Sequence, residues 1–130
     1  MSNARTFGIK LDKAFDKILD DQFLPFKQKI AMEALTRVTF KMPVDTGRAR
    51  GNTIVSLGSM NSEVSEAIDI SGSSAISKGA SLVFSDRDPF GLVFIQNNLP
   101  YIGRLEDGYS GQAPLGMFAV TAQELEVMFQ

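Results

Sequence analysis

Apolar residues recur every three or four positions in the first third of the chain, which is the spacing of helices with one buried face. Residues 11–23 show this spacing, and it resumes after Pro25 from about residue 26 to residue 40. Proline lacks a backbone N–H and clashes with the preceding helical turn, so it breaks or kinks a helix. The pattern therefore predicts two N-terminal helices that meet at Pro25, and the second should end before Pro43.

The period of the apolar positions changes to two after residue 52, which is the spacing of strands. Residues 53–57 alternate as a strand, 58–61 have the composition of a turn, and 64–70 have the pattern of a returning strand. We therefore expect a hairpin. The remaining predicted elements are a short helix from a Ser/Gly-rich cap at 71–74 to about Phe84, a turn at 86–89, a buried strand within 91–97, a short helix at 101–109 and a last helix starting near Pro114 or Leu115.

This order of elements predicts an α+β fold, with N-terminal helices packed on a small, mostly antiparallel sheet, further short helices and a C-terminal helix. The length of 130 residues and the lack of a long linker indicate a single domain over residues 1–130. The 44% hydrophobic and 22% charged residues are ordinary for a globular protein. We expect most of the ten phenylalanines and six methionines to lie in the core.

The chain contains no cysteine and no histidine, which narrows its possible chemistry. Disulfides and thiolate metal sites are excluded, and the commonest general base and transition-metal ligand are missing. These absences make an enzyme much less expected, and no other residues of the chain form a convincing metal site. The net charge of −2 gives no overall attraction for nucleic acid. No apolar run approaches the roughly 20 residues that span a bilayer, so a cytoplasmic protein without membrane contact is expected.

The segment at 42–52, MPVDTGRARGN, contains a triplet that resembles the catalytic one of aspartic proteases. In a retroviral-type protease, Asp45 would share a proton with its counterpart across a dimer axis. Two observations oppose this hypothesis: a helix leads into the triplet instead of an apolar strand, and the guanidinium of Arg48 would keep both carboxylates ionised.

A structural interpretation of the same segment fits better. Asp45 can form a capping turn through its side chain, and Gly47 can adopt the positive φ that such a turn needs. Arg48 and Arg50 would then alternate along an extended segment and pair with carboxylates of a neighbouring chain. A contact with phosphate or DNA is the alternative for these arginines, although the acidic net charge makes it the weaker one.

Two blocks of residues together resemble the tail-completion or neck proteins of long-tailed bacteriophages, which join tail to head. The first block is PVDTGRARGN at 43–52, and the second runs from Asn97 to Met117 and contains LEDGYS and QAP. The match extends over about residues 26–120, although Thr53 stands where family members often carry an aromatic residue and the last helix ends early. The matching residues are Asp45, Gly47, Arg48 and Arg50 in the first block, and Tyr101, Leu105, Glu106, Gly108, Gln112, Ala113 and Pro114 in the second.

The resemblance implies a structural virion protein without catalysis or cofactor. It implies a ring, expected to be a hexamer, at the head-proximal end of the tail, assembled in the host cytoplasm. The ring would contact the head-closure connector and the tail terminator or tail-tube protein, and the genome would pass through it without specific binding. A tail terminator ring that caps the tail tube is the alternative within the same class.

Two arrangements of charge could serve such a ring. A ring interface joins two different patches of neighbouring copies, and the Arg48/Arg50 segment and the Glu106/Asp107 segment could be such a pair. Charge reversal of Arg48 and Glu106 would test this pairing. Asp12, Asp16 and Asp20 lie four residues apart on one predicted helical face, which could line the channel and repel DNA or could be a solvated face.

Overall fold

The computed structural model describes residues 17, 19–44, 47–108 and 116–129, and it confirms a mixed α+β fold in which helices pack on a two-stranded antiparallel sheet. The helices of the described ranges include none that is long and apolar enough to cross a membrane. In chain order the elements are a π-helical turn (Leu19–Phe23), helix α1 (Leu24–Lys41), the single turn α2 (Arg48–Gly51), strand β1 (Thr53–Leu57), helix α3 (Ser73–Ser85), strand β2 (Val93–Asn97), and helices α4 (Ile102–Glu106) and α5 (Phe118–Met128).

Helix α1 begins next to Pro25 and ends before Pro43, close to the predicted limits. Proline is tolerated in a first helical turn because its missing N–H has no partner there. Phe23 keeps helical φ and ψ, so the π-helical turn runs directly into α1. Pro25 lies at this junction, where the sequence predicted a break or a kink. At the other end Met42 is extended, as expected of a residue before proline.

The predicted hairpin between 53–57 and 64–70 is wrong. β1 pairs instead with β2, in an antiparallel register that places Thr53 opposite Asn97 and Leu57 opposite Val93. The returning chain is held by a side chain: the Asn52 amide donates to the Ser65 carbonyl at 3.0 Å and accepts from the Ser65 N–H at 2.8 Å. This amide replaces the ladder bonds that a hairpin would have formed.

Helix α3 confirms the predicted helix, and its N-cap residue lies within the predicted Ser/Gly-rich cap at 71–74, but the side chain that accepts its first N–H groups comes from outside that cap. Gly72 occupies the cap position, and the buried carboxylate of Asp69 accepts the N–H groups of Gly72 at 3.1 Å and Ala75 at 2.8 Å. An aspartate in this place satisfies N–H groups that have no partner within the helix. Helix α5 begins at Phe118, three residues after the latest predicted start.

The core has two parts, and α1 contributes to both. The first part lies where α1, α3 and the sheet meet, and its buried residues are Ala31, Leu35, Val55 and Val83. Gly79 of α3 faces Leu35 and Val55 so closely that any β-carbon would overlap them, so glycine sets the spacing between α3 and the sheet. The second part joins α1 to the residues around both motif blocks, namely Val38, Met42, Ala49, Leu99 and Met117.

The expected location of the aromatic residues is wrong for the part of the chain that the structure describes. None of the described phenylalanines belongs to the buried core, and Phe23, Phe26, Phe40, Phe84 and Phe90 are exposed. A two-stranded sheet offers one small apolar face, which Val and Leu side chains fill. The excess apolar side chains therefore remain at the surface.

Candidate assembly surfaces

The first motif block forms a tight turn followed by helix α2. Gly47 has φ of +79°, and its carbonyl accepts the N–H groups of Gly51 and Asp69, both at 2.9 Å. A β-carbon on Gly47 would lie 2.8 Å from the Ile70 nitrogen, so both conformation and space require glycine. The positive φ agrees with the predicted turn, whereas Asp45 lies outside the described residues.

Arg48 and Arg50 lie on a helical turn, so the predicted extended segment with alternating arginines is wrong. Arg50 points back into its own chain. Its guanidinium donates to the carbonyls of Met42 at 3.2 Å, Ile70 at 2.8 Å and Phe40 at 3.0 Å, and it lies over the Phe40 ring at 5.8 Å. Three carbonyls from two chain segments match the fork of donors that arginine presents. Arg50 therefore ties the end of α1 to the chain that leads into α3.

Arg48 is half-buried and makes a weaker ion pair within the chain. Its Nη2 lies 3.4 Å from a carboxylate oxygen of Glu66, whose side chain is 92% exposed. An ion pair this open to solvent contributes about 1 kcal/mol or less. Arg48 thus lies beside the returning segment at 64–70, at the surface of the molecule.

Glu106 of the second block caps helix α5. Its carboxylate accepts the N–H groups of Met117 at 2.6 Å, Phe118 at 2.9 Å and Ala119 at 2.9 Å. Burial of the carboxyl raises its pKa, but the three N–H donors outweigh burial and hold the pKa of Glu106 below its ordinary value. The neighbouring Asp107 is exposed.

The other residues of the second block shape α4 and its surroundings. The Tyr101 carbonyl accepts the N–H groups of Arg104 and Leu105, which starts the helix, and its side chain is partly exposed. Leu105 packs on the core cluster that contains Met117, and Gly108 has φ of +90° just after the helix. Three predicted motif residues and the aspartate stripe lie outside the residues or side chains that the structure describes: Gln112, Ala113, Pro114, Asp12, Asp16 and Asp20.

Three polar side chains to which the sequence assigned no separate role, Asn97, Asn52 and Asp69, bond the backbone, and Asn97 connects the two motif blocks. Asn97, at the end of β2, donates to the Ala49 carbonyl at 2.7 Å and accepts the Leu99 N–H at 3.1 Å. Asn52 and Asp69 hold the returning segment, as described above. A signal was present in the sequence, because asparagine and aspartate at the ends of strands and helices commonly bond the backbone.

An apolar groove of about 490 Å³ lies between the first turns of α1 and the chain that enters β2. We call it the α1–β2 groove. Lys27 is its one charged lining residue among those described, and it pairs with Asp86 at 2.7 Å. The Lys27 ammonium and the Asp88 N–H hold the pKa of Asp86 below its ordinary value. The apolar residues that line the groove are Phe23, Phe26, Ile30, Ala31, Ala34, Pro89, Phe90, Leu92, Val93 and Ile95.

No protein-family model, curated protein or solved structure matches this chain. Within the described ranges, no group of three or more acidic residues is placed to hold a metal ion.

The described motif residues fall into two groups. Arg50 and Glu106 bond within the chain, whereas Arg48, Tyr101 and Asp107 lie at the surface.

Proposed function

We propose that this protein is a structural subunit that assembles with copies of itself into a ring at the head-proximal end of a phage tail and joins the tail to the head. The proposal starts from the resemblance of the blocks at 43–52 and 97–117 to tail-completion proteins. Both blocks contribute to one core cluster, through Ala49 in the first and Leu99 and Met117 in the second. This packing supports treating the two blocks as one structural unit.

The observation that carries the proposal is the exposed apolar surface. Monomeric soluble proteins rarely expose large contiguous apolar patches, and such patches commonly mark protein–protein contacts. Phe90 is 70% exposed and Leu92 is 63% exposed in the α1–β2 groove, and Phe23 and Phe26 line the same groove. A subunit that is covered by neighbours in an assembly would have this surface.

Electron microscopy of phage particles that lack this protein tests the proposal. Separate full heads and complete tails are expected if the protein joins them. Tails of excessive length would show instead that it is a terminator ring that caps the tail tube. Particles of normal appearance would overturn both roles.

The predicted charge pairing between neighbouring copies needs a revised test. Glu106→Arg would remove the cap of α5, so a failure to restore assembly would be ambiguous. Asp107 is exposed and adjacent, and it is the better partner for a reversal. Arg48→Glu should weaken ring formation, and addition of Asp107→Arg should partly restore it, as measured by sedimentation. If adding Asp107→Arg to the Arg48→Glu variant does not restore ring formation, the pairing is contradicted.

A further inference from the structure

We propose that the 64–70 segment of one copy adds as a strand to the free edge of β2 in the next copy, so that the sheet continues from subunit to subunit. The inference rests on the proposed ring-forming function and names its interface. The partner is a second copy of this chain, docked head to tail.

The first observation is an open strand edge. Gly58 and Leu92 form the next residue pair after Leu57 and Val93, and the Gly58 N–H donates to the Leu92 carbonyl at 2.9 Å. Bonding alternates along antiparallel strands, so the backbone groups of Val93 and Ile95 point away from β1. β2 pairs with β1 alone among the described strands, and an unpaired edge of this kind accepts extended chains readily.

The apolar wall beside this edge is the second observation. The α1–β2 groove is lined by Phe26, Ile30 and Ala34 of α1 and by Val93 and Ile95 of the edge strand itself. An added strand would lie under α1 and would cover these side chains. Backbone bonds would supply affinity and the groove would select apolar side chains.

The same chain carries a suitable strand on the other side of its sheet. The 64–70 segment has the residue alternation of a strand, yet Val64, Ile68 and Ile70 are exposed. The N–H and the carbonyl of Ser65 bond the Asn52 amide, and the N–H of Asp69 donates to the Gly47 carbonyl. The backbone groups of the intervening residues Val64, Glu66 and Ile68 make no hydrogen bond in the described part of the chain. The Ile70 carbonyl accepts from Arg50, so the segment has one anchored edge and an open edge that extends over residues 64–68.

The positions of the two surfaces favour a second copy as the occupant. A cleft of about 230 Å³ is lined by the 64–70 segment, β1 and α3, so the segment lies on the β1 side and the open edge of β2 lies on the other. The 64–70 segment and the open edge of β2 lie on opposite sides of the sheet, so they cannot meet within one chain. They can meet between successive copies, and such a heterologous contact builds rings.

Cross-linking of cysteine variants tests this pairing, because the natural chain has no cysteine to interfere. Ile68→Cys and Leu92→Cys replace exposed side chains at the two surfaces. With a short bis-maleimide, a mixture of the two variants should give at least about fivefold more covalent dimer than either alone. The double variant should give a ladder of multimers. The mixture of Ser81→Cys, exposed on α3, with Leu92→Cys is the matched control and should give no excess.

A charge in the segment gives an independent measurement. Ile68→Asp should weaken self-association of the full chain about tenfold or more in sedimentation, because it places a carboxylate in the apolar contact. Ser81→Asp should leave association unchanged. Both variants should keep the thermal midpoint of the wild type, which shows that folding is intact.

The outcomes separate this interface from the ring itself. Wild-type association without excess cross-linking in the mixture would overturn the strand pairing and leave the ring proposal standing. If each single variant alone gives as much covalent dimer as the mixture, the contact is two-fold symmetric, and this result would also overturn the pairing. A wild-type protein that stays monomeric at every concentration and gives no cross-link would overturn it as well, and the particle microscopy then decides the ring proposal separately.

Discussion

The motif-bearing region and the α1–β2 groove present opposite surfaces. In the motif region the polar groups of Arg50, Asn97 and Glu106 are used by backbone partners of the same chain. In the groove, Phe90 and Leu92 are exposed and have little to pack against. A distinctive sequence pattern can therefore serve the fold, while less distinctive apolar residues form the exposed apolar surface.

The largest difference is expected for a matched pair of leucines, one from each region. Leu99 is 1% exposed in the motif core, and Leu92 is 63% exposed in the groove. Leu99→Ala should lower the free energy of unfolding by about 2–5 kcal/mol, because it leaves a cavity. Leu92→Ala should change it by about 0.5 kcal/mol or less. Urea unfolding of both variants measures the contrast, and equal losses would contradict it.

Arg50 should matter to the stability of the isolated chain. Arg50→Lys keeps the charge but cannot reach three carbonyls at once, and we expect a loss of about 1–3 kcal/mol in the free energy of unfolding. Arg87→Lys, at an exposed position in the loop after α3, is the control and should have no measurable effect. Wild-type stability of the Arg50→Lys variant would show that the bonds of Arg50 do not stabilise the isolated chain, and it would leave only the predicted role at an interface.

Glu106 should make the stability of the motif region depend on pH. Glu106→Gln should cost about 0.5–2 kcal/mol near neutral pH, as expected for a lost helix cap. The folded-state pKa is below the ordinary value of 4.5, so this contribution is present above about pH 4.5 and is lost as the pH falls through the folded pKa. Chemical unfolding of both proteins between pH 7 and pH 3 should show the difference shrinking. Asp107→Asn is the control, and a pH-independent difference would contradict the cap.

The smallest effect on folding, and a clear effect on association, is expected in the groove. Phe90 is 70% exposed, so Phe90→Ser should change the free energy of unfolding by about 0.5 kcal/mol or less. The same change should weaken self-association, which sedimentation measures. A variant that unfolds more easily but associates normally would show that the groove belongs to the fold.

The patterns in the sequence predicted most of the elements because those patterns are local. The 3.6-residue period and the two prolines placed α1, and the alternation at 53–57 placed β1. The serine- and glycine-rich start of α3 and the positive φ of Gly47 also followed from local preferences. The start of α5 did not, because its cap comes from Glu106, a residue that is distant along the chain.

The partners of these elements, by contrast, were decided by the tertiary structure. The alternation at 64–70 was consistent with a strand, but the Asn52 amide and the Asp69 carboxylate hold that segment beside β1, and β2 takes the place in the sheet. Arg50 and Glu106 could have served a neighbour on sequence grounds, and only the positions of backbone carbonyls and N–H groups showed that they bond within the chain. Sequence period determines which residues share a face, whereas competition among all nearby donors, acceptors and apolar surfaces determines what that face meets.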